Sequence, residues 1–390
     1  MTRKVTAPKD LPRGKAVKPE QPAPASKHVI LPRPGVLDVS VYVPGRSEAT
    51  GAMRTFKLSS NESPFGPSPK AVAAYESAES ALGVYPEGTS RVLRDAIGAH
   101  LGLDADRIVC GNGSDEILHL LANSYLRAGD EVIFTEHSFS LYKIATLSNS
   151  AAPVEVPEPK LVFDVDGVLK RVRERTRMVF IANPNNPTGT YLPASEMRRL
   201  HAGLPKTALL VIDAAYAEYV GKSDYDPGIE LVNASDNVVM TRTFSKAYGL
   251  AGVRIGWGYC SKEIAEVLNR VRAPFNVNIA AQRAAVAALA DQAHVEHALQ
   301  HNAKWRALIT AEIRKLGNRG IRVDDSAGNF LLVHFADARR AQEADRFLMS
   351  RGVILRGCAS YGLPQCLRLT IGSEEANRVA LAALKDFAAS

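Results

Sequence analysis

Apolar and polar positions alternate in blocks along most of this chain. Short apolar runs occur at Arg107-Ile-Val-Cys110, Glu131-Val-Ile-Phe134, Met178-Val-Phe-Ile181, Ala208-Leu-Leu-Val-Ile212 and Val238-Val-Met240. These runs are apolar at successive positions rather than alternate ones, so they predict strands covered on both faces. Turn-rich stretches and segments of helical spacing, such as Glu116 to Leu126, separate them. That alternation predicts an α/β fold with a mainly parallel sheet between helices. A sixth run, Val253 to Tyr259, follows the fifth after a short connection, which fits an antiparallel strand. Upstream, Ser68 and Pro69 read as the N-cap and first residue of a helix. The loop Tyr85-Pro-Glu-Gly-Thr-Ser90 leads into a second helix ending at about Leu101.

Beyond Pro274 the pattern changes. Ala280–Ala290 is an alanine-rich helical segment, and His297 to Leu316 reads as a longer one. Gly328–His334, Val353–Leu355 and Leu367–Ile371 predict strands, Ala341–Arg351 and Glu374–Ala388 predict helices, and together they suggest a smaller α+β unit. The expected organisation is a tail over 1–35, a segment over 36–75 joining the small unit, a large domain over 76–285 and a small domain over 286–390.

Composition narrows the function classes. The formal charge of +7 suggests nucleic acid until it is located. Residues 1–35 hold eight Lys/Arg against two Asp/Glu and seven of the 22 prolines, leaving a nearly neutral body. That segment reads as a mobile, disordered tail, with neither the apolar core of a secretory signal nor a helix-turn-helix pattern. No nucleic-acid or membrane partner is expected, since no apolar run reaches 18 residues. The four cysteines lack metal-ligand spacing, so no metal is expected and a reducing, cytoplasmic setting is.

Candidate chemistry collects after the strands. In a parallel α/β sheet ligands sit at the carboxyl ends of the strands, and there the chain places Gly113-Ser114, Phe139, Asn183 to Asn186, Asp213 and Thr243 to Lys246. Gly111-Asn-Gly-Ser-Asp opens a helix whose N-terminus would attract an anion, but it lacks the lysine of a triphosphate-binding loop. Asp213 ends a buried-looking run, so its carboxylate needs a partner: a cationic ring nitrogen, or an internal arginine.

Three motifs in this order, Asn183-Pro-Asn-Asn-Pro-Thr-Gly189, Asp213-Ala-Ala-Tyr216 and Thr243-Phe-Ser-Lys246 with Arg254 eight residues on, resemble the signature of fold type I pyridoxal-phosphate-dependent aminotransferases. The resemblance runs from about residue 36 to the C-terminus. Leu58-Ser-Ser-Asn-Glu-Ser-Pro-Phe-Gly-Pro-Ser-Pro69, Tyr85-Pro-Glu-Gly and Leu367-Arg-Leu-Thr-Ile-Gly372 resemble its histidinol-phosphate aminotransferase branch. The fold implied is a large domain with a seven-stranded sheet and a smaller α+β domain.

The resemblance also implies roles. Lys246 is the amine that bonds the cofactor aldehyde and then carries the substrate proton; Asp213 pairs with the pyridine nitrogen. Tyr216 and Asn186 bond the phenolic oxygen, and Asn186 also faces the substrate. Thr243, Ser245, Arg254, Gly113 and Ser114 hold the phosphate, and Phe139 stacks on the ring. Arg356 and Arg368 bind the substrate anion. Tyr42 and Tyr85 complete the site across a homodimer; for Tyr85 the competing reading is an aromatic packing locally in its loop. The implied reaction is transamination between histidinol phosphate and 2-oxoglutarate, giving imidazole-acetol phosphate and glutamate in histidine biosynthesis. An aromatic amino-acid aminotransferase, a threonine-phosphate decarboxylase and a non-catalytic pyridoxal-phosphate-binding regulator are the alternatives.

Overall fold

The computed structural model describes residues 31–41, 45–46 and 54–390. Tyr42 and all of the expected tail except residues 31–35 lie outside the described residues.

Seven strands form the central sheet. In spatial order they are Ile108–Gly111, Gly256–Tyr259, Val238–Thr243, Leu209–Asp213, Thr176–Ala182, Glu131–Thr135 and Ala152–Val156. All pairings are parallel except the two made by Gly256–Tyr259, which runs against both neighbours. The apolar runs translate directly into a doubly covered sheet. On Thr176–Ala182, Val179 and Ile181 belong to one buried cluster, and Met178 and Phe180 to another. Leu210 and Ile212 divide from Leu209 and Val211 in the same way. Successive strand residues point to opposite faces, so two helical layers require two apolar sets. Each such side chain, fully buried, contributes about 1.5–3 kcal/mol.

The strand Ala152–Val156 is absent from the six runs read in the sequence. It is an edge strand, partly exposed along its length and containing Pro153. An edge strand needs no continuous apolar run and can tolerate a proline, so its sequence carries little signal.

A second unit is built on an antiparallel sheet in the order Arg356–Gly357, Cys366–Thr370, Phe330–His334, Arg322–Val323. Its core includes Ile309, Leu331, Val333, Leu369 and Leu384. The N-terminal segment joins this unit: Phe56–Lys57 pairs in parallel with Val353–Ile354, and Leu58 is buried in the same core. The segment then runs to the helix Pro69–Glu76, where the Ser68 hydroxyl accepts from the Ala71 N–H, and so crosses the mouth of the large sheet. Among the described residues no helix is long and apolar enough to cross a membrane.

Candidate active site

Four elements of the large sheet converge on one cleft. The strand Leu209–Asp213 ends in a buried carboxylate. Tyr142 donates its hydroxyl hydrogen to Asp213 Oδ2 at 3.0 Å, and Thr241 donates to Oδ1 at 3.3 Å. Asp213 is thus met by hydroxyls rather than by an internal arginine. Burial raises its pKa to about 6, against the lowering effect of these hydrogen bonds.

Lys246 lies after the strand Val238–Thr243. Its Nζ donates to the Ser60 carbonyl at 3.2 Å and sits 5.8 Å from the centre of the Tyr216 ring. Burial, and then the Arg368 guanidinium, lower its pKa to about 8. A half-buried amine and a buried carboxylate, each pushed toward its neutral form, therefore line the same cleft. Tyr216 faces them; its hydroxyl accepts from Asn61 Nδ2 at 2.9 Å, which leaves the O–H free to donate elsewhere. Burial raises the Tyr216 pKa, and Arg368 and Asn61 oppose that rise.

The anion cradle is built from loops. Gly113 stands at φ +77° as the N-cap of the helix Ser114–Tyr125. A Cβ there would lie 2.5 Å from Arg254 Nη2, so glycine lets the guanidinium close over the helix start. Arg254 itself has φ +60° and donates to Ser245 Oγ at 3.3 Å and to Asp115 Oδ2 at 3.3 Å. Thr243 Oγ1 donates to Ser245 Oγ at 3.0 Å and accepts from the Ser245 N–H at 3.1 Å. Hydroxyls, guanidinium and helix N-terminus form a cup suited to a phosphate.

The small unit closes the other side. Arg356 and Arg368 are direct partners across two antiparallel strands, and both line the cleft. Arg368 is buried; it donates to Asn186 Oδ1 and, at 2.7 Å, to the Ser59 carbonyl. The loop that carries Asn186 is fixed at its start by Asn183, which exchanges hydrogen bonds with the Leu192 backbone at 2.8 and 3.0 Å. Its Asn183–Pro184 and Asn186–Pro187 bonds are both cis.

Of the residues expected at a site, Ser114, Phe139, Asn186, Asp213, Tyr216, Thr243, Ser245, Lys246, Arg254, Arg356 and Arg368 line this one cleft, and Gly113 abuts it through Arg254. Tyr85 does not; it is 81% exposed and stacks on Phe275 at 4.6 Å. Sequence reasoning missed Tyr142, Thr241, Asn61 and Asp115. Tyr142 sits one helical turn after Phe139, and Asn61 lies inside the quoted Leu58–Pro69 stretch, but an aromatic or an amide in such a place has no polar signal of its own. The buried, arginine-free Asp213 and the neutral-leaning Lys246 fit a cofactor with a cationic ring nitrogen and an aldehyde, and the cup fits its phosphate.

The sequence model for aminotransferase class I and II matches residues 54–384. The chain belongs to this family. Among curated relatives, a histidinol-phosphate aminotransferase of Rhodopseudomonas palustris (strain HaA2) is 54% identical over 362 residues, covering 92% of this chain and 98% of the relative. One from Nitrobacter winogradskyi has the same identity and coverage. Among solved structures, the histidinol-phosphate aminotransferase of Sinorhizobium meliloti in complex with pyridoxal-5'-phosphate aligns with a TM-score of 0.81 and 31% identity, over 86% of this chain and 91% of that one. The L-threonine-O-3-phosphate decarboxylase of Porphyromonas gingivalis aligns with a TM-score of 0.74 at 21% identity, over 86% of this chain and 99% of that one, which shows a shared fold alone. An aminotransferase of this family uses pyridoxal phosphate, and the cleft fits that group.

Proposed function

We infer that this aminotransferase moves an amino group between histidinol phosphate and 2-oxoglutarate. The observation that carries the reading is the pair Arg356 and Arg368, held side by side at the cleft. Two fixed cations next to each other call for a multivalent anion, and a guanidinium pair accepts a phosphate or a carboxylate with the same geometry. Histidinol phosphate presents the first and glutamate the second, so one pocket serves both halves of a ping-pong reaction. The curated relatives that share 54% identity carry the same activity in their names.

Pyridoxal phosphate, when bound, supplies the electron sink that makes the substrate Cα proton removable. The chain's own residues do the rest. Lys246 Nζ removes and returns that proton; with a pKa of about 8 it is available as a neutral base near neutral pH. Asp213 holds the proton on the ring nitrogen. Tyr216, whose lone pair is taken by Asn61, donates to the phenolic oxygen together with Asn186. Thr243, Ser245, Arg254 and the Gly113–Ser114 helix start would hold the cofactor phosphate, and Phe139 would cover the ring.

The assembly is a homodimer in this reading. Leu82, Val84, Tyr85 and Val92 are exposed by 66% or more, close together in the chain beside the large sheet. A second copy covers such an apolar strip, and Tyr85 of the partner subunit then completes the phosphate cup. The four cysteines are buried and free, in keeping with a reducing cytoplasm.

Steady-state kinetics test the substrate. Histidinol phosphate should exceed phenylalanine and tyrosine in kcat/KM by about 100-fold or more, the scale on which a site fitted to one polar substrate rejects an analogue that lacks its hydrogen-bonding groups. Preference for the aromatic acids would make the chain an aromatic amino-acid aminotransferase, and release of CO2 without glutamate would make it a decarboxylase.

A further inference from the structure

Tyr142 is fully buried against the large sheet and is not among the residues that the motifs single out. Its ring stacks face to face on Phe180, 4.8 Å away with 5° between planes, and meets Phe139 edge-on at 6.0 Å. A phenylalanine would fill this place equally well. The hydroxyl needs another explanation, because burying it without a hydrogen bond is costly. Its bond goes to Asp213 Oδ2 at 3.0 Å. The other oxygen, Oδ1, receives the Thr241 hydroxyl at 3.3 Å. Thr241 lies directly opposite Asp213 on the neighbouring strand, and Tyr142 comes from the helix Leu141–Leu147. Two elements thus aim one donor at each oxygen of a single buried carboxylate.

We propose that Tyr142, assisted by Thr241, is a positioning residue that keeps Asp213 ionised and correctly oriented for the cofactor ring nitrogen. The proposal rests on the reading of this cleft as a pyridoxal-phosphate site. Donated hydrogen bonds favour the charged form of a carboxyl group. Burial and the Asp115 carboxylate push the other way, and the Ala215 N–H helps the hydroxyls. Tyr216 and Tyr225 are the further titratable groups that sense Asp213, and both are phenols held protonated by burial. The Asp213 carboxyl is thus drawn toward its neutral form by burial and toward its charged form by the hydroxyls that meet its two oxygens. Placing that hydroxyl one helical turn beyond Phe139 puts ring stacking and ring protonation under one short segment.

The test is the holoenzyme carrying Tyr142→Phe, with Thr241→Val as a second variant. Without the phenol, Asp213 gives up its charge more readily and the ring nitrogen loses its proton. Removal of that positive charge makes neighbouring protonation easier, so the pH midpoint of the bound cofactor's visible absorption band moves upward. In Tyr142→Phe the midpoint should rise by at least about half a unit, and the cofactor dissociation constant should rise about tenfold, the scale of a hydrogen bond to a charged group. kcat should fall while the KM for glutamate stays within about twofold, as for an interaction that acts on the reaction and not on substrate binding. Thr241→Val should move the same quantities in the same directions by less. A Tyr142→Phe holoenzyme with an unchanged midpoint and unchanged cofactor affinity overturns the proposal, and a lowered Tm with an unchanged midpoint does so too, making Tyr142 a packing residue. A wild-type chain that fails to take up pyridoxal phosphate overturns both this proposal and the proposed function. A wild-type chain that binds the cofactor but does not turn over histidinol phosphate overturns only the substrate reading, and the midpoint and affinity still judge Tyr142.

Discussion

The two larger sheets among the described residues give the same cleft opposite kinds of charge. The large parallel sheet delivers Asp213 and Lys246, ionisable groups whose charge burial suppresses. The small antiparallel sheet delivers two guanidinium groups, Arg356 and Arg368. The difference teaches a division of labour. Groups poised between two protonation states suit proton movement, whereas permanent cations suit anion recognition. If that division is right, damage to the first pair should strike kcat and damage to the second should strike kcat/KM through substrate binding.

The largest effect should come from Lys246. Lys246→Ala removes the base and the amine together, and kcat for histidinol phosphate should fall by at least about 10⁴-fold, the upper range for loss of a positioned acid–base group. Binding of the substrate anion, read by equilibrium dialysis in the presence of cofactor, should weaken far less. A variant with turnover within tenfold of the wild type would remove Lys246 from the chemistry and with it the first half of the comparison.

The same division explains what could be read in the sequence. Burial on both faces makes the strands of the large sheet continuously apolar, so a polar residue at a strand end, such as Asp213, stands out against Leu209-Leu-Val-Ile212. The order of those ends places Asn186, Asp213 and Lys246 at one site from the sequence alone. The edge strand Ala152–Val156 and the two-residue strands Arg322–Val323 and Arg356–Gly357 were hidden, because short or half-exposed strands need no apolar run. Tyr142 was hidden for another reason. Its ring obeys the packing pattern of the core, and only the position of Asp213 Oδ2, which is set by tertiary structure, reveals what the hydroxyl does.

An intermediate effect is expected on the small sheet. Arg368 is buried, bonded to Asn186 and Ser59, and adjacent to the cleft. Arg368→Gln should lower kcat/KM for both histidinol phosphate and glutamate, by about 10²- to 10³-fold, the cost of removing one partner from a desolvated charge pair. Loss confined to one of the two substrates would show that phosphate and carboxylate are held at separate places, and the shared pocket would have to be abandoned.

The smallest effect, and the one that bears most directly on suppressed charge, concerns the stability of the cofactor-free protein. Burial lifts the Asp213 carboxyl from an ordinary 3.8 to about 6. Between those values the folded chain retains a proton that the unfolded chain has released. The contribution of Asp213 to the unfolding free energy therefore falls as pH rises from about 4 to about 6, and the loss is complete above the folded value. A shift of about two units corresponds to about 3 kcal/mol. Lys246, lowered from 10.5 to about 8, is protonated in both states across this window and adds nothing to the slope. Asp213→Asn carries no titrating group at this position. The stability of the wild type minus that of Asp213→Asn, measured by urea unfolding of the cofactor-free proteins at pH 4 and at pH 7, should drop by about 2.4 kcal/mol over the interval, since the unfolded carboxyl is already partly ionised at pH 4. Bound pyridoxal phosphate places a ring nitrogen able to share the proton with Asp213, and the drop should shrink when the proteins are reloaded. A difference that stays constant with pH would mean that Asp213 keeps its charge as freely as a surface carboxylate, and the contrast between the two sheets would then rest on Lys246 alone.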